Sequence, residues 1–175
     1  MNRPVLVGKK VCLRELKASD ATSISKNMND PQVTKYVGWR YPFTMHDASA
    51  LIQKYRKGMQ NGTCYALGIE EKGKNTVIGT VAFVLMDEQR MPALDFWLGR
   101  RFWRRGYTEE AVRLMIKFGF KKLKLRRIYS AAFQRNKASN GLLLKVGFSE
   151  YRRRFTKLKG RRIKQIRYAM GEGIK

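Results

Sequence analysis

Between residues 93 and 133 the chain reads strand, helix, strand: "ALDFWL" (93–98), a long apolar stripe from Tyr107 to Leu123, then "RRIYSAAF" (126–133). In the middle segment Ala111, Leu114, Met115 and Phe118 recur at the 3.6-residue spacing of one helix face. Two strands joined through a helix run parallel in one sheet, by a right-handed crossover. The rest of the chain has to build around that pair, and it does so with antiparallel signals. "CYALGIEE" (64–71) and "TVIGTVAFVLM" (76–86) enclose "KGKN", a hairpin turn by composition. "SEYRRRFTKLKGRRIKQIRYAM" (149–170) reads as a terminal hairpin around "KLKG".

The remaining segments fit the same frame. "KVCLREL" (10–16) alternates as a strand, with Val11, Leu13 and Glu15 on one face. A helix capped by Ser19 or Asp20 follows and ends before Pro31. "TMHD" has the form of a capping box, and Ala48, Leu51, Ile52 and Tyr55 follow it at helical spacing until Gly62 closes the helix. "NKASNGLLLKVGF" (136–148) holds a short helix closed by Gly147. At 175 residues the expectation is one mixed α/β domain, 1–175, with a core that needs no staple.

"WRRGYTEEA" (103–111) carries the chemistry. The crossover helix starts directly after Gly106, and its first turn leaves backbone N–H groups unpaired under the positive end of the helix dipole. Such an end binds phosphate when the backbone can approach. Gly106 removes the obstructing side chain and permits the angles of an anion-binding nest, while Arg104 and Arg105 add two full charges. A nucleotide P-loop and a dinucleotide fingerprint are both absent. On spacing alone Gly106 could equally be a turn glycine.

Charge narrows the partners. The net charge of +25 is concentrated in residues 100–175, where 24 Lys and Arg face 4 Asp and Glu. An anionic partner therefore meets the C-terminal half. The two cysteines, Cys12 and Cys64, lie far apart in strand-like runs and are expected as buried free thiols. With a single histidine, His46, no metal site is expected. The N-terminal "MNRPVLVGKK" lacks the apolar run of a signal peptide and no stretch approaches a membrane span, so no membrane insertion and a cytoplasmic location are the default.

The stretch from Asp95 to Phe148 resembles the core of a GNAT-superfamily N-acetyltransferase, in particular the ribosomal-protein N-terminal acetyltransferase (RimJ/RimL-like) branch. An aromatic strand precedes Trp103 to Ala111; Phe120 to Ile128, Asn136 with Ser139, and Lys145 to Phe148 follow in the branch's order and spacing. The resemblance implies a central, mostly antiparallel twisted sheet with a splayed parallel strand pair and flanking helices. It implies acetyl-CoA as co-substrate, without a metal, and transfer to a primary amine. The favoured acceptor is a protein N-terminus or lysine, with ribosome or RNA contact through the basic C-terminal hairpin. A small-molecule acceptor and a chiefly RNA-binding module are the alternatives, and a homodimer is compatible with all of these.

Residue by residue, the resemblance seats the pyrophosphate on the backbone of Arg104, Arg105, Gly106, Tyr107 and Thr108, and admits the pantetheine arm beside Phe96, Trp97 and Leu98. Asn136 would bond that arm and Ser139 would serve as acid to the leaving thiolate, although both residue types also suit helix capping. The pattern is not kept throughout. Arg104 stands where the branch has glycine, Thr108 where it has alanine or glycine, Ala93 where many relatives carry a glutamate, and Leu143 where many carry a tyrosine acid. An ammonium cannot attack a thioester, so a base is needed. Asp95, Glu15 and His46 are the candidates, Asp95 being on the right strand but opposite in sense to Phe96.

Overall fold

The structure, a computed structural model, describes residues 5–86 and 91–173. The chain begins with β1 (Leu6–Val7) and β2 (Val11–Arg14), continues through a 3-10 turn (Ala18–Asp20) into α1 (Ala21–Met28) and α2 (Pro31–Thr34), and reaches the long α3 (Met45–Gln60). Strands β3 (Cys64–Glu71), β4 (Val77–Met86) and β5 (Met91–Leu98) follow, then α4 (Tyr107–Lys121), β6 (Arg127–Phe133), α5 (Lys137–Lys145), β7 (Ser149–Leu158) and β8 (Arg161–Gly171). All eight strands form one sheet in the order β1-β2-β3-β4-β5-β6-β8-β7, antiparallel except for β5 against β6. The expected mixed α/β fold, with a mostly antiparallel sheet and one parallel pair, is therefore what the chain adopts.

Alternation along the strands gives the sheet two apolar faces. Leu94 and Leu98 point with Met115 and Phe118 of α4 into one core, while Trp97 packs with Leu51, Ile52 and Tyr55 of α3 into the other. The α3 capping box forms as the sequence implies: the Thr44 hydroxyl accepts the Asp47 N–H, and the Asp47 carboxylate accepts the Thr44 N–H at 2.8 Å. Gly62, Gly73, Gly147 and Gly160 take the left-handed angles expected at their turns.

Some expectations need correction. The strand expected over 10–16 is β2, which ends at Arg14, so Glu15 lies outside the alternation that pairs Val11 with Leu13. Neither Ser19 nor Asp20 caps α1 with its side chain, because the Asp20 carboxylate is taken by the Arg14 guanidinium at 2.8 and 2.9 Å. Cys12 and Cys64 are free but only half-buried, since they face away from the buried alternation of β2 and open β3 at the cleft rim. β1 and α2 carry too few residues for a periodic signal; α2 is held by Pro31 at its start and the Asp30 carboxylate on the Gln32 N–H at 2.7 Å. The first four residues, part of the N-terminal segment read above as lacking a signal peptide, lie outside the described residues.

Arg14 joins β2 to β3 and α1 by pairing with both Glu70 and Asp20. Burial pushes the Asp20 carboxyl up, but the Arg14 guanidinium and the Lys17 N–H outweigh it and hold the group below the usual carboxylate range. A depressed carboxyl contributes stability that is present above the unfolded value of about 3.9 and lost as pH falls through the folded one. Arg14→Met should therefore destabilise by about 2–4 kcal/mol at pH 7, since it strands two largely buried carboxylates. The corresponding drop in Tm is roughly 5–15 °C for a chain of this size. In thermal melts the deficit should begin to shrink as pH falls below about 3.9 and disappear only below the depressed folded value, where Asp20 is protonated in both states; a constant deficit would refute the charge argument.

Candidate active site

β5 and β6 pair only at Ala93↔Tyr129 and Leu94↔Ser130, and then separate. Ser130 wedges the fork: its hydroxyl donates to the Leu94 carbonyl at 2.8 Å. Four residues further along β5, the Trp103 indole N–H donates to the Leu98 carbonyl at 2.8 Å. Alternation directs the backbone polar groups of Leu94, Phe96 and Leu98 to the same side, so those of Phe96 face the opening between these two closures. A strand pair that stops bonding mid-sheet exposes polar backbone, a cost retained where a ligand can use it.

The opening leads into a cleft of about 1710 Å³. Single-ligand pockets commonly measure about 300–1,000 Å³, so two reactants can meet here. One end is the start of α4. Gly106 sits at φ 78° and Arg104 at φ 61°, and no side chain caps the helix. Arg104 thus adopts the left-handed backbone for which glycine is the usual solution. Three contacts hold this end in place: Lys10 Nζ on the Arg105 carbonyl at 2.9 Å, the Tyr107 hydroxyl on Glu71 at 2.7 Å, and the backbone N–H groups of Lys9 and Lys10 on the Glu110 carboxylate. An uncapped first turn, a left-handed pair and two arginines fit a pyrophosphate. A smaller hollow of about 330 Å³ adjoins it, sharing Phe102 and Arg105 with the cleft.

The cleft is lined by Asp95, Phe96, Trp97, Leu98, Arg104 to Thr108, Asn136 and Ser139, so the structure brings together the residues that the resemblance places at the cofactor, with Asp95 of the three candidate bases. Asn136 caps α5, its Oδ1 accepting the Ser139 N–H at 3.2 Å. Leu143, at the tyrosine-acid position, is fully buried in the core. Trp97 keeps an indole N–H without a partner among the described residues.

Of the three candidate bases only Asp95 lines the cleft; Glu15 and His46 do not, and His46 is exposed in the first turn of α3. Asp95 is exposed to the cleft, but the protein mass of the surrounding walls partly desolvates its carboxylate. That desolvation lifts its carboxyl above the ordinary value, with the Phe96 N–H and the charge of Lys54 pulling the other way. Its neighbours were not legible as site residues. Tyr55 reads as a core position of α3, and is one, yet it also faces the cleft, with its hydroxyl 3.5 Å from Thr80 Oγ1. Burial, then the nearby Asp95 charge, keeps that phenol protonated. Lys54, Tyr36 and Trp39 also line the cleft, and no local sequence signal marks them.

A sheet that forks beside an uncapped helix end, with a carboxylate on the far side of the fork, is an arrangement suited to acyl transfer. Residues 10–149 match the family described as Acetyltransferase (GNAT) domain, and the chain belongs to that family of acetyl-transferring enzymes. It is 30% identical over 148 residues, 84% of each chain, to a Bacillus subtilis protein named "Uncharacterized N-acetyltransferase YoaA". The fold matches that of RimL, a ribosomal L7/L12 alpha-N-protein acetyltransferase solved in complex with coenzyme A, with a TM-score of 0.84 and 16% identity over 96% of this chain and 98% of that one. It also matches the ribosomal-protein-S5-alanine acetyltransferase from Vibrio fischeri, with a TM-score of 0.82 and 19% identity over 97% of each chain.

Proposed function

We propose that this enzyme acetylates the α-amine of a protein N-terminus, with ribosomal proteins in the cytoplasm as the acceptor class. The observation that carries the reading is the position of Asp95, a desolvated carboxylate on the α3 side of the forked strands. The first turn of α4, with Arg104 and Arg105, holds the pyrophosphate, and Asn136 orients the pantetheine arm. Acetyl-CoA supplies the activated acyl thioester. Asp95 accepts a proton from the acceptor ammonium, directly or through one water. A backbone N–H of β5 at the fork stabilises the developing oxyanion, a contact worth about 3–4 kcal/mol when well aimed. As the intermediate collapses the C–S bond breaks, Ser139 donates its hydroxyl proton to the departing thiolate and regains one from the attacking nitrogen, leaving the neutral amide and free coenzyme A.

Magnitudes favour an α-amine over a lysine. An α-ammonium titrates near 7.7–8.0 and a lysine near 10.4, so freeing the lysine costs about 3.5 kcal/mol more at the same base. A carboxylate, even a raised one, is a weak base and suits the easier acceptor. The ribosomal reading draws on the named activities of the two structural neighbours.

Short peptides with free serine or alanine N-termini should release coenzyme A from acetyl-CoA, read by thiol titration, and gain one acetyl group by mass spectrometry. The same peptides blocked at the N-terminus but carrying a lysine should give at least tenfold less. Turnover confined to small free amines would overturn the protein-acceptor reading.

A further inference from the structure

The family match ends at residue 149, where β7 begins. The β7–β8 hairpin beyond it carries nine lysines and arginines in residues 149–171 against one carboxylate, Glu150. β7 is the edge strand, and Tyr151 through Phe155 are exposed without interruption, so both faces of the ribbon meet solvent. The last pairing with β6 is Phe133↔Gln165, which leaves the distal part of the hairpin projecting past the sheet. Its tip is nevertheless fixed, because Lys159 Nζ donates to the Thr34 carbonyl at 2.7 Å.

The register sorts the side chains. Phe155↔Lys164 and Lys157↔Arg162 place one half-exposed ring and three cations on a single face, with the Arg162 guanidinium 4.1 Å above the Phe155 ring and Lys164 Nζ at 5.7 Å. Arg152, Arg154 and Arg161 occupy the opposite face. Glu150 neutralises Arg153, but these six cations have no carboxylate partner among the described residues. Same-face neighbours on a strand stand about 6.7 Å apart. Guanidinium forks suit phosphate oxygens, and an arginine plane lying on an aromatic ring is a stacking platform for an unpaired base.

We propose that the β7–β8 hairpin is a docking surface for single-stranded RNA. Arg152, Arg154, Lys157 and Arg161 contact phosphates, and one base extends the stack over Arg162 and Phe155. A duplex hides its base faces and an acidic polypeptide has none, so the exposed ring selects the unpaired strand. The surface lies apart from the residues that hold the donor, and its test does not depend on the acceptor.

The probe is a fluorescein-labelled, mixed-sequence RNA of about 20 nucleotides, long enough for a single site. Fluorescence anisotropy is read across a salt series, with duplex DNA of equal length and polyglutamate as rivals. Replacing Arg152, Arg154, Lys157 and Arg161 with glutamine should flatten the slope of log affinity against log salt by roughly 2–3. Replacing Lys26, Arg56, Lys57 and Lys122, which remove equal charge elsewhere, should leave it nearly unchanged. Phe155→Ala should weaken RNA binding about tenfold while the salt slope stays constant. Unaltered coenzyme A affinity in all three variants confirms that they fold. Equal losses from the two charge sets would reduce the effect to net charge, and tighter binding of DNA or polyglutamate would assign the hairpin to that partner; each outcome overturns the proposal.

Discussion

Asp95→Asn should lower kcat/KM for a peptide acceptor by about 10²–10⁴, the range typical of losing a positioned acid or base. The substitution keeps the shape of the side chain and removes only its ability to take a proton. Desolvation holds the wild-type carboxyl above the ordinary range, so activity should fall on the acid side as pH drops through that raised value. The asparagine variant should lack this limb. Stability should move the other way. A group whose folded pKa is raised stabilises the fold below its unfolded value and loses that contribution as pH rises through the folded one. At pH 7.5 the ionised carboxylate is therefore a cost, and the variant's Tm should equal or exceed that of the wild type. Melting curves and acceptor kinetics on the same preparation separate catalysis from folding. A variant that keeps near-full activity with an unchanged pH profile would remove Asp95 from the mechanism.

Gly106→Val tests the other end of the cleft. At φ 78° a β-branched residue is strongly disfavoured, and a Cβ here would also come within 3.3 Å of Lys10 Nζ. Holding such a backbone costs about 1–3 kcal/mol, which predicts a roughly 5–150-fold weaker affinity for coenzyme A by calorimetry. Gly106 is exposed, so the core should survive and the Tm should fall by only a few degrees. Arg104→Gly is the informative contrast. It relieves a left-handed non-glycine residue, so the seat keeps its backbone and loses only one exposed charge. Its affinity should drop less than that of Gly106→Val, and the difference should shrink further as salt screens the lost charge. Equal affinity in Gly106→Val and wild type would show that the backbone of this turn does not hold the donor.

The two predictions concern opposite sides of β5, and their separation explains the charge imbalance of the chain. In the proposed function Arg104 and Arg105 suffice for the phosphates of one donor molecule. Beyond Arg135, Lys137 and Lys145, which line the cleft, the cations in the last quarter of the described chain lie on the β7–β8 ribbon, outside the cleft. The same two-residue period serves both regions. It places Phe96 and Asp95 on opposite faces of a buried strand, and it divides the hairpin cations between two solvated faces.

What the sequence determined by itself is short-range. The Thr44–Asp47 capping box, the glycine turns, the separate elements of the β5–α4–β6 crossover, and the left-handed start of α4 at Gly106 each depend on residues within one or two turns of one another. Hydrogen-bond period and backbone angles specify them locally. Only the tertiary structure showed that Asp95 borders the cleft while Glu15 and His46 do not, because that placement depends on walls contributed by segments more than a hundred residues apart. The same holds for Arg14, whose partner Glu70 is 56 positions away, and for Lys10, which supports Arg105 across 95. Such contacts form only when the sheet assembles, since a pair distant in the chain leaves no period in the sequence and becomes fixed only once the intervening strands have packed.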